Sequence, residues 1–171
     1  MCIIAAGRNL LKNDKYKVFF TSINNQNYSN YHLIVADDNS KDYSAFFIRE
    51  YIKEELPRLH GKTTLLYNHA NIGALANKDQ IIRKFCKEGS VIVDMDADDA
   101  LVGRQVLKVL NSVYQNESNW FVYSNHVVFE EGKNYPEAGY SDYLYQHILK
   151  ENRYRTTEYY WATGHLKTYR F

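Results

Sequence analysis

Val91-Ile92-Val93-Asp94-Met95-Asp96-Ala97-Asp98-Asp99 joins a β-branched apolar run to a run of carboxylates. The apolar half reads as a short buried strand, and the acidic half as the loop at its carboxyl end. Carboxylates this dense repel one another unless a cation or hydroxyl donors share the site. The stretch therefore predicts a strand that delivers acids to a binding site.

Working outward, short apolar runs alternate with segments of helical period. Strands are expected at residues 2–6, 31–36, 63–67, 90–93 and 120–122, and helices at 17–26, 43–56, 74–86 and 103–114. In the second helix Phe46, Phe47, Ile48, Tyr51, Ile52 and Leu56 recur three and four apart among Arg49, Glu50, Lys53 and Glu54, and Pro57 stops it. Leu107, Leu110 and Val113 form another apolar stripe. Strand alternating with helix predicts an α/β fold, a mostly parallel central sheet covered on both faces. Ligands of such sheets sit at the carboxyl ends of the strands. The residues there are Gly7-Arg8-Asn9, Asp37-Asp38-Asn39-Ser40, residues 68–73 and the acids from Asp94 to Asp99.

Bulk properties narrow the function. The chain has 171 residues, 45% of them hydrophobic, which suits one domain with a real core. Twenty-one Lys and Arg against twenty Asp and Glu leave a net charge of +1, so the electrostatic case for a nucleic-acid partner is missing. No apolar run reaches the roughly 18 residues that cross a bilayer, so no transmembrane segment is expected. The start Cys2-Ile3-Ile4-Ala5-Ala6 lacks a basic leader and reads as a strand. Cys2 and Cys86 lie far apart in the chain and match no metal spacing, which suggests two reduced, packed thiols. A cytoplasmic location, with or without peripheral membrane attachment, is the expectation. The sixteen tyrosines are scattered and read as compositional bias.

Three readings compete for the acids. Asp94, Asp96 and Asp98 match the first positions of an EF-hand loop, but Asp99 stands where glycine is needed and Gln105 where the bidentate Glu belongs. A phosphatase reading would make Asp94 the nucleophile and Asp96 the acid, in a motif that normally opens its fold. The remaining reading is a divalent-metal site. Elsewhere, Ser40 and Asp42 are explained as caps of the next helix, whereas Asp37 and Asp38 suggest a ligand role for at least one of them. Gly73 can close a turn, and Lys78 can reach phosphates from a helix.

Taken in order, Ile3-Ile4 to Asn9, Ser22-Ile23-Asn24-Asn25-Gln26-Asn27-Tyr28, Leu33 to Asp42 with Asp37-Asp38-Asn39-Ser40, Asn71-Ile72-Gly73-Ala74 and Asp96-Ala97-Asp98-Asp99 form a combination. It resembles the family-2 glycosyltransferases of GT-A fold over about residues 1–110. The resemblance implies a Rossmann-like α/β sandwich and inverting transfer from a nucleoside-diphosphate sugar, a UDP-sugar by expectation, with Mn or Mg. By position it implies that Ala6, Gly7, Arg8 and Asn9 line the nucleotide and that Asp38 with Asp37 holds the base. Asn71, Gly73 and Lys78, the last in place of a frequent Arg, belong to the nucleotide side. Asp96 faces ribose or metal, and Asp98 ligates the metal beside Asp99.

Departures are local. The family's Pro-x-Tyr-Asn is here Ala6-Gly7-Arg8-Asn9, and its Ala-Arg-Asn is Asn77-Lys78-Asp79. The chain is expected to be one domain over residues 1–171, with a nucleotide-sugar half at 1–110 and a partial acceptor-side half at 111–171. Residues 161–170, with Gly164-His165-Leu166, resemble an acceptor-side segment. The acceptor, whether glycan, protein or lipid, is not encoded in any motif. Nor is a general base recognisable among Glu117, Glu130, Glu131, Glu137, Asp142, Glu151 and Glu158, so Glu158 and His165 are the substitutes. The expectation is a fragment that binds donor and transfers poorly. A nucleotide-sugar-binding module without turnover and a Ca²⁺-binding structural domain are the alternatives.

Overall fold

The computed structural model describes residues 1–124, 126–130, 133–137 and 166–171. Two compact units result, Met1–Phe121 with Thr168–Phe171, and Val122–Lys167.

In the first unit the chain runs β1 (Cys2–Gly7), a 3-10 turn (Lys12–Asp14), α1 (Lys15–Asn24), β2 (His32–Asp37), α2 (Ser44–Glu55), β3 (Thr63–Tyr67), α3 (Ala74–Phe85), β4 (Val91–Asp94) and α4 (Val106–Val113). Two strands cross the boundary between the units, β5 (Phe121–Tyr123) and, from the last residues, β8 (Lys167–Arg170). The sheet order is β3-β2-β1-β4-β8-β5, and the β1–β2, β1–β4 and β2–β3 pairs are parallel. The expected α/β fold is therefore present, with element ends within three residues of expectation. In α4 the helix starts later than expected because Gly103, at φ +79, still belongs to the turn.

Strands buried on both faces explain the unbroken apolar runs. Cys2, Ile4, Ala6, Ile34, Ala36 and Ile92 share one face and pack with Ile81 and Cys86 from α3. Ile3, Leu33, Val35 and Val93, on the alternate positions, are equally buried. Phe19 and Phe20 of α1 are fully buried and meet edge to face.

One expectation is corrected here. Cys2 and Cys86 are not two separate thiols but a disulfide, with Cα atoms 5.8 Å apart across a sequence separation of 84. Cys2 opens β1 on the face that α3 covers, and α3 ends at its C-cap, Cys86, directly over it. Distance along the chain said nothing about distance across the sheet. The bridge removes the argument for a reducing compartment.

The Ser22, Gln26 and Tyr28 motif turns out to be a seam. Buried Gln26 donates to the carbonyls of Ser22 (3.0 Å) and Gly103 (2.7 Å) and accepts from the Leu107 amide (3.2 Å). Ser22 accepts from the Leu101 amide, and Tyr28 donates to Asn111. These bonds fix the segment that follows the acidic loop against the end of α1.

At the other side of the sheet, Arg170 of β8 donates to the carbonyls of Tyr114 (2.6 Å), Asn116 (3.1 Å) and Asn119 (3.0 Å). Its guanidinium thus satisfies orphan carbonyls just beyond α4, where a cation is also favoured by the helix dipole. Tyr114 and Thr168 share a buried hydroxyl hydrogen bond.

In the second unit β6 (His126–Glu130) and β7 (Lys133–Glu137) form an antiparallel pair closed by Glu130 opposite Lys133. Among the described residues no helix is long and apolar enough to cross a membrane.

Candidate nucleotide and metal site

The strand order reverses between β1 and β4: β2 and β3 extend the sheet from one side of β1, and β4 pairs with the other. A crevice opens at the carboxyl end of such a switch point. Here it is a cavity of about 380 Å³, lined by Ala6, Gly7, Arg8, Asn9, Leu10, Lys12, Lys15, Asp96, Ala97 and Asp98. That size suits a small organic ligand.

Each wall has a local cause. Gly7 leaves the space open, because an added Cβ would collide with the side chain of Leu10 and stand 3.3 Å from that of Ala97. The β1 loop is tied down by the loop after β2. Asn9 donates its amide to Ser40 (2.8 Å) and Leu11 donates its amide to Asp42 (3.2 Å). Leu10 donates its amide to Ser44, and the Lys41 amide donates to the Asn9 side chain. Neither expected cap is the N-cap of α2, which is Tyr43: Asp42, one residue earlier, accepts from the Ser44 amide, and the Ser40 hydroxyl is taken by the loop after β1.

After β4 the side chains of Met95 and Ala97 are buried, 4% exposed each, while Asp96 and Asp98 are exposed at the cavity. The Asp99 amide donates to the Asp96 carbonyl and closes the turn. Of the acidic stretch, Asp96 and Asp98 line the cavity and Asp94 does not.

Lysines meet these acids. Lys78 of α3, with its side chain only 15% exposed, lies 2.6 Å from Asp94 and 3.0 Å from Asp96. Burial alone would lower its pKa, but the hydrogen bonds and charges of Asp94 and Asp96 outweigh burial and hold it above the ordinary lysine range. Lys15 reaches Asp98 at 3.4 Å, a half-exposed pair that contributes little to stability.

Asp38 does not reach the cavity. It is 4% exposed and accepts from the amides of Ile72 (2.9 Å) and Gly73 (2.8 Å) and from Asn68 (2.9 Å). Burial would raise its pKa, yet those donors lower it to about 2. Gly73, at φ +84, gives the backbone turn that aims two consecutive amides at one carboxylate. Buried Asn77 closes the network by donating to the Gly73 carbonyl and accepting from Asn68.

Asp37 differs: one oxygen accepts from the Ser40 amide and the other is buried without a hydrogen-bond partner. Asn71 is exposed. Of the expected nucleotide residues, the cavity gathers Ala6, Gly7, Arg8, Asn9 and Asp96, while Asp37, Asp38, Asn71, Gly73 and Lys78 stand outside its lining. Lys12 and Lys15 also line the cavity although no motif marked them; the spaced cations Arg8, Lys12 and Lys15 after β1 were the available signal. Glu158 and His165 lie outside the described residues.

Among the described residues, no three His, Cys, Asp or Glu side chains converge as a metal cage. Asp96 and Asp98 nevertheless supply oxygen donors, the chemistry that Mg²⁺ and Mn²⁺ accept. Such ions need only one or two protein carboxylates when phosphate and water complete the shell. The donor set fits a metal that arrives with its ligand.

The fold is shared with glycosyltransferases of GT-A type. A mannosyltransferase from Pyrobaculum calidifontis, solved with GDP-Man and Mn²⁺, superposes with a TM-score of 0.67 at 17% identity over 99% of this chain and 44% of that one. S. aureus TarS 1-349, solved with UDP-GlcNAc, gives 0.56 at 16% identity over 80% of this chain and 36% of that one. The chain thus spans less than half the length of these structures. Its membership is narrower than the fold: the chain belongs to the family Glycosyl transferase family 2, whose sequence profile matches residues 15–171. No curated protein matches the sequence.

Proposed function

We propose that this chain binds the nucleoside diphosphate of a sugar donor at the carboxyl ends of β1 and β4, within an inverting glycosyltransferase. The carrying observation is the cavity at the switch point, where Arg8, Lys12 and Lys15 stand opposite Asp96 and Asp98. In this reading Ala6 to Asn9 line the nucleotide, and Asp37, the last residue of β2, is assigned with Asp38 to the base side. Asp38 and Gly73 act through the loop they shape, next to Asn71. Mn²⁺ or Mg²⁺ is held by Asp96 and Asp98, with Asp99 beside them.

A departing nucleoside diphosphate gains negative charge. Bound metal and nearby cations offset it where it develops. The donor is read as a UDP-sugar, although one solved relative carries GDP-Man, so both nucleotides belong in the test. Glu158 or His165 is the proposed base that takes the proton of an acceptor hydroxyl on a glycan, protein or lipid.

Asp98→Asn preserves shape and removes the charge that holds the metal. Calorimetry with UDP or GDP and Mn²⁺ should show metal-dependent binding weakened by more than tenfold, which is about 1.4 kcal/mol. Unchanged affinity in a folded variant would place the metal elsewhere. Tight Ca²⁺ binding without any nucleotide binding would favour a structural calcium domain instead.

A further inference from the structure

We propose that Lys78 is a built-in counter-cation of the acidic loop, which competes with a divalent metal for Asp96. This deepens the proposed function and rests on its assignment of Asp96 to the metal. The ammonium bridges Asp94 and Asp96 at 2.6 and 3.0 Å, from a side chain 15% exposed, and on Asp96 it holds one oxygen of a half-exposed carboxylate. Its helix cannot withdraw easily. Near its start Asn77 is buried in the Asn68 and Gly73 network, in the middle Ile81 is in the core, and at its end Cys86 is bonded to Cys2.

A metal ion arriving alone would meet Asp96 with an ammonium already on it, and the two cations would repel at contact distance. A diphosphate changes this. Its oxygens give Lys78 new partners within reach of a flexible four-carbon stem, so the lysine moves from the acids to the ligand and Asp96 becomes available. Nucleotide and metal then assist each other's binding, and the coupling is equal in both directions. The free protein keeps Asp94 and Asp96 paired with a cation, and the metal joins more tightly together with its phosphate ligand.

The test measures Mn²⁺ alone by calorimetry and by the electron paramagnetic resonance of free Mn²⁺, in wild type, Lys78→Met, Lys78→Gln and Lys78→Arg. The neutral variants should bind Mn²⁺ at least tenfold more tightly than wild type, and Lys78→Arg should stay within about threefold of it. Wild-type affinity in Lys78→Gln, with the melting curve intact, would overturn the proposal. So would an equal gain in Lys78→Arg. A parallel titration of wild type with UDP and GDP plus Mn²⁺ separates the two claims. If that binding is present and Mn²⁺ affinity ignores Lys78, the counter-cation role fails alone; if it is absent, the nucleotide reading fails.

Discussion

Asp38→Ala should lower the free energy of unfolding by about 3 kcal/mol, because it strands three donors that now meet one charged acceptor. The Ile72 and Gly73 amides and the Asn68 side chain all point at Asp38 from 30 to 35 residues further along the chain. Asp38→Asn should cost nearly as much, since an amide nitrogen would face those donors. For a chain of this size the loss corresponds to a fall of roughly 6 to 12 °C in the unfolding midpoint, readable by calorimetry. A change under 1 kcal/mol would mean that the loop holds itself.

The same carboxylate sets a pH dependence. Its folded pKa, about 2, lies below the ordinary 3.8, so its contribution is fully present above 3.8 and is lost as pH falls from there through about 2. At 1.36 kcal/mol per unit that is about 2 kcal/mol. Wild type should lose this stability across the window, and Asp38→Ala should not.

Reducing the Cys2–Cys86 bridge should have the other large effect. By loop entropy, a link across a separation of 84 stabilises by about 4.5 kcal/mol. Denaturant midpoints with and without a dithiol reductant measure it, with Cys2→Ala/Cys86→Ala as the control that should not respond. Hydrogen exchange should rise first in the last turn of α3, at Arg83 and Lys84, which the bridge anchors. Identical midpoints in both states would show that the link closes a gap already held shut by Ile81 and its neighbours.

The sheet and its helices were legible because strands such as residues 33–36 and 91–93 are apolar on both faces and the helices carry clear stripes. The location of the site was legible for the same reason, since strand ends are fixed once the strands are. What individual acids do there was less so. Asp37 and Asp38 look alike in sequence, yet one keeps a bare oxygen and the other is saturated by amides from the Ile72-Gly73 turn. Such donors are backbone groups, which every sequence has. Ser22 and Gln26 likewise show no sign that their partners are Leu101, Gly103 and Leu107. Pairings across the sheet, Cys2 with Cys86 and Lys78 with Asp94, depend on how α3 crosses β1 and β4, and no local pattern records that crossing.

The place of β8 between β4 and β5 has a consequence for how the molecule is made. During synthesis β4 emerges with β1 on one side and nothing on the other, and it stays so until Thr168 to Phe171 leave the ribosome. A bare strand edge invites pairing with a neighbouring nascent chain. Closure of the sheet is a late, long-range event limited by the entropy of bringing Lys167–Arg170 back to Val91–Asp94. Co-translational assembly of this half should therefore be slow compared with that of β1, β2 and β3, whose partners arrive in succession.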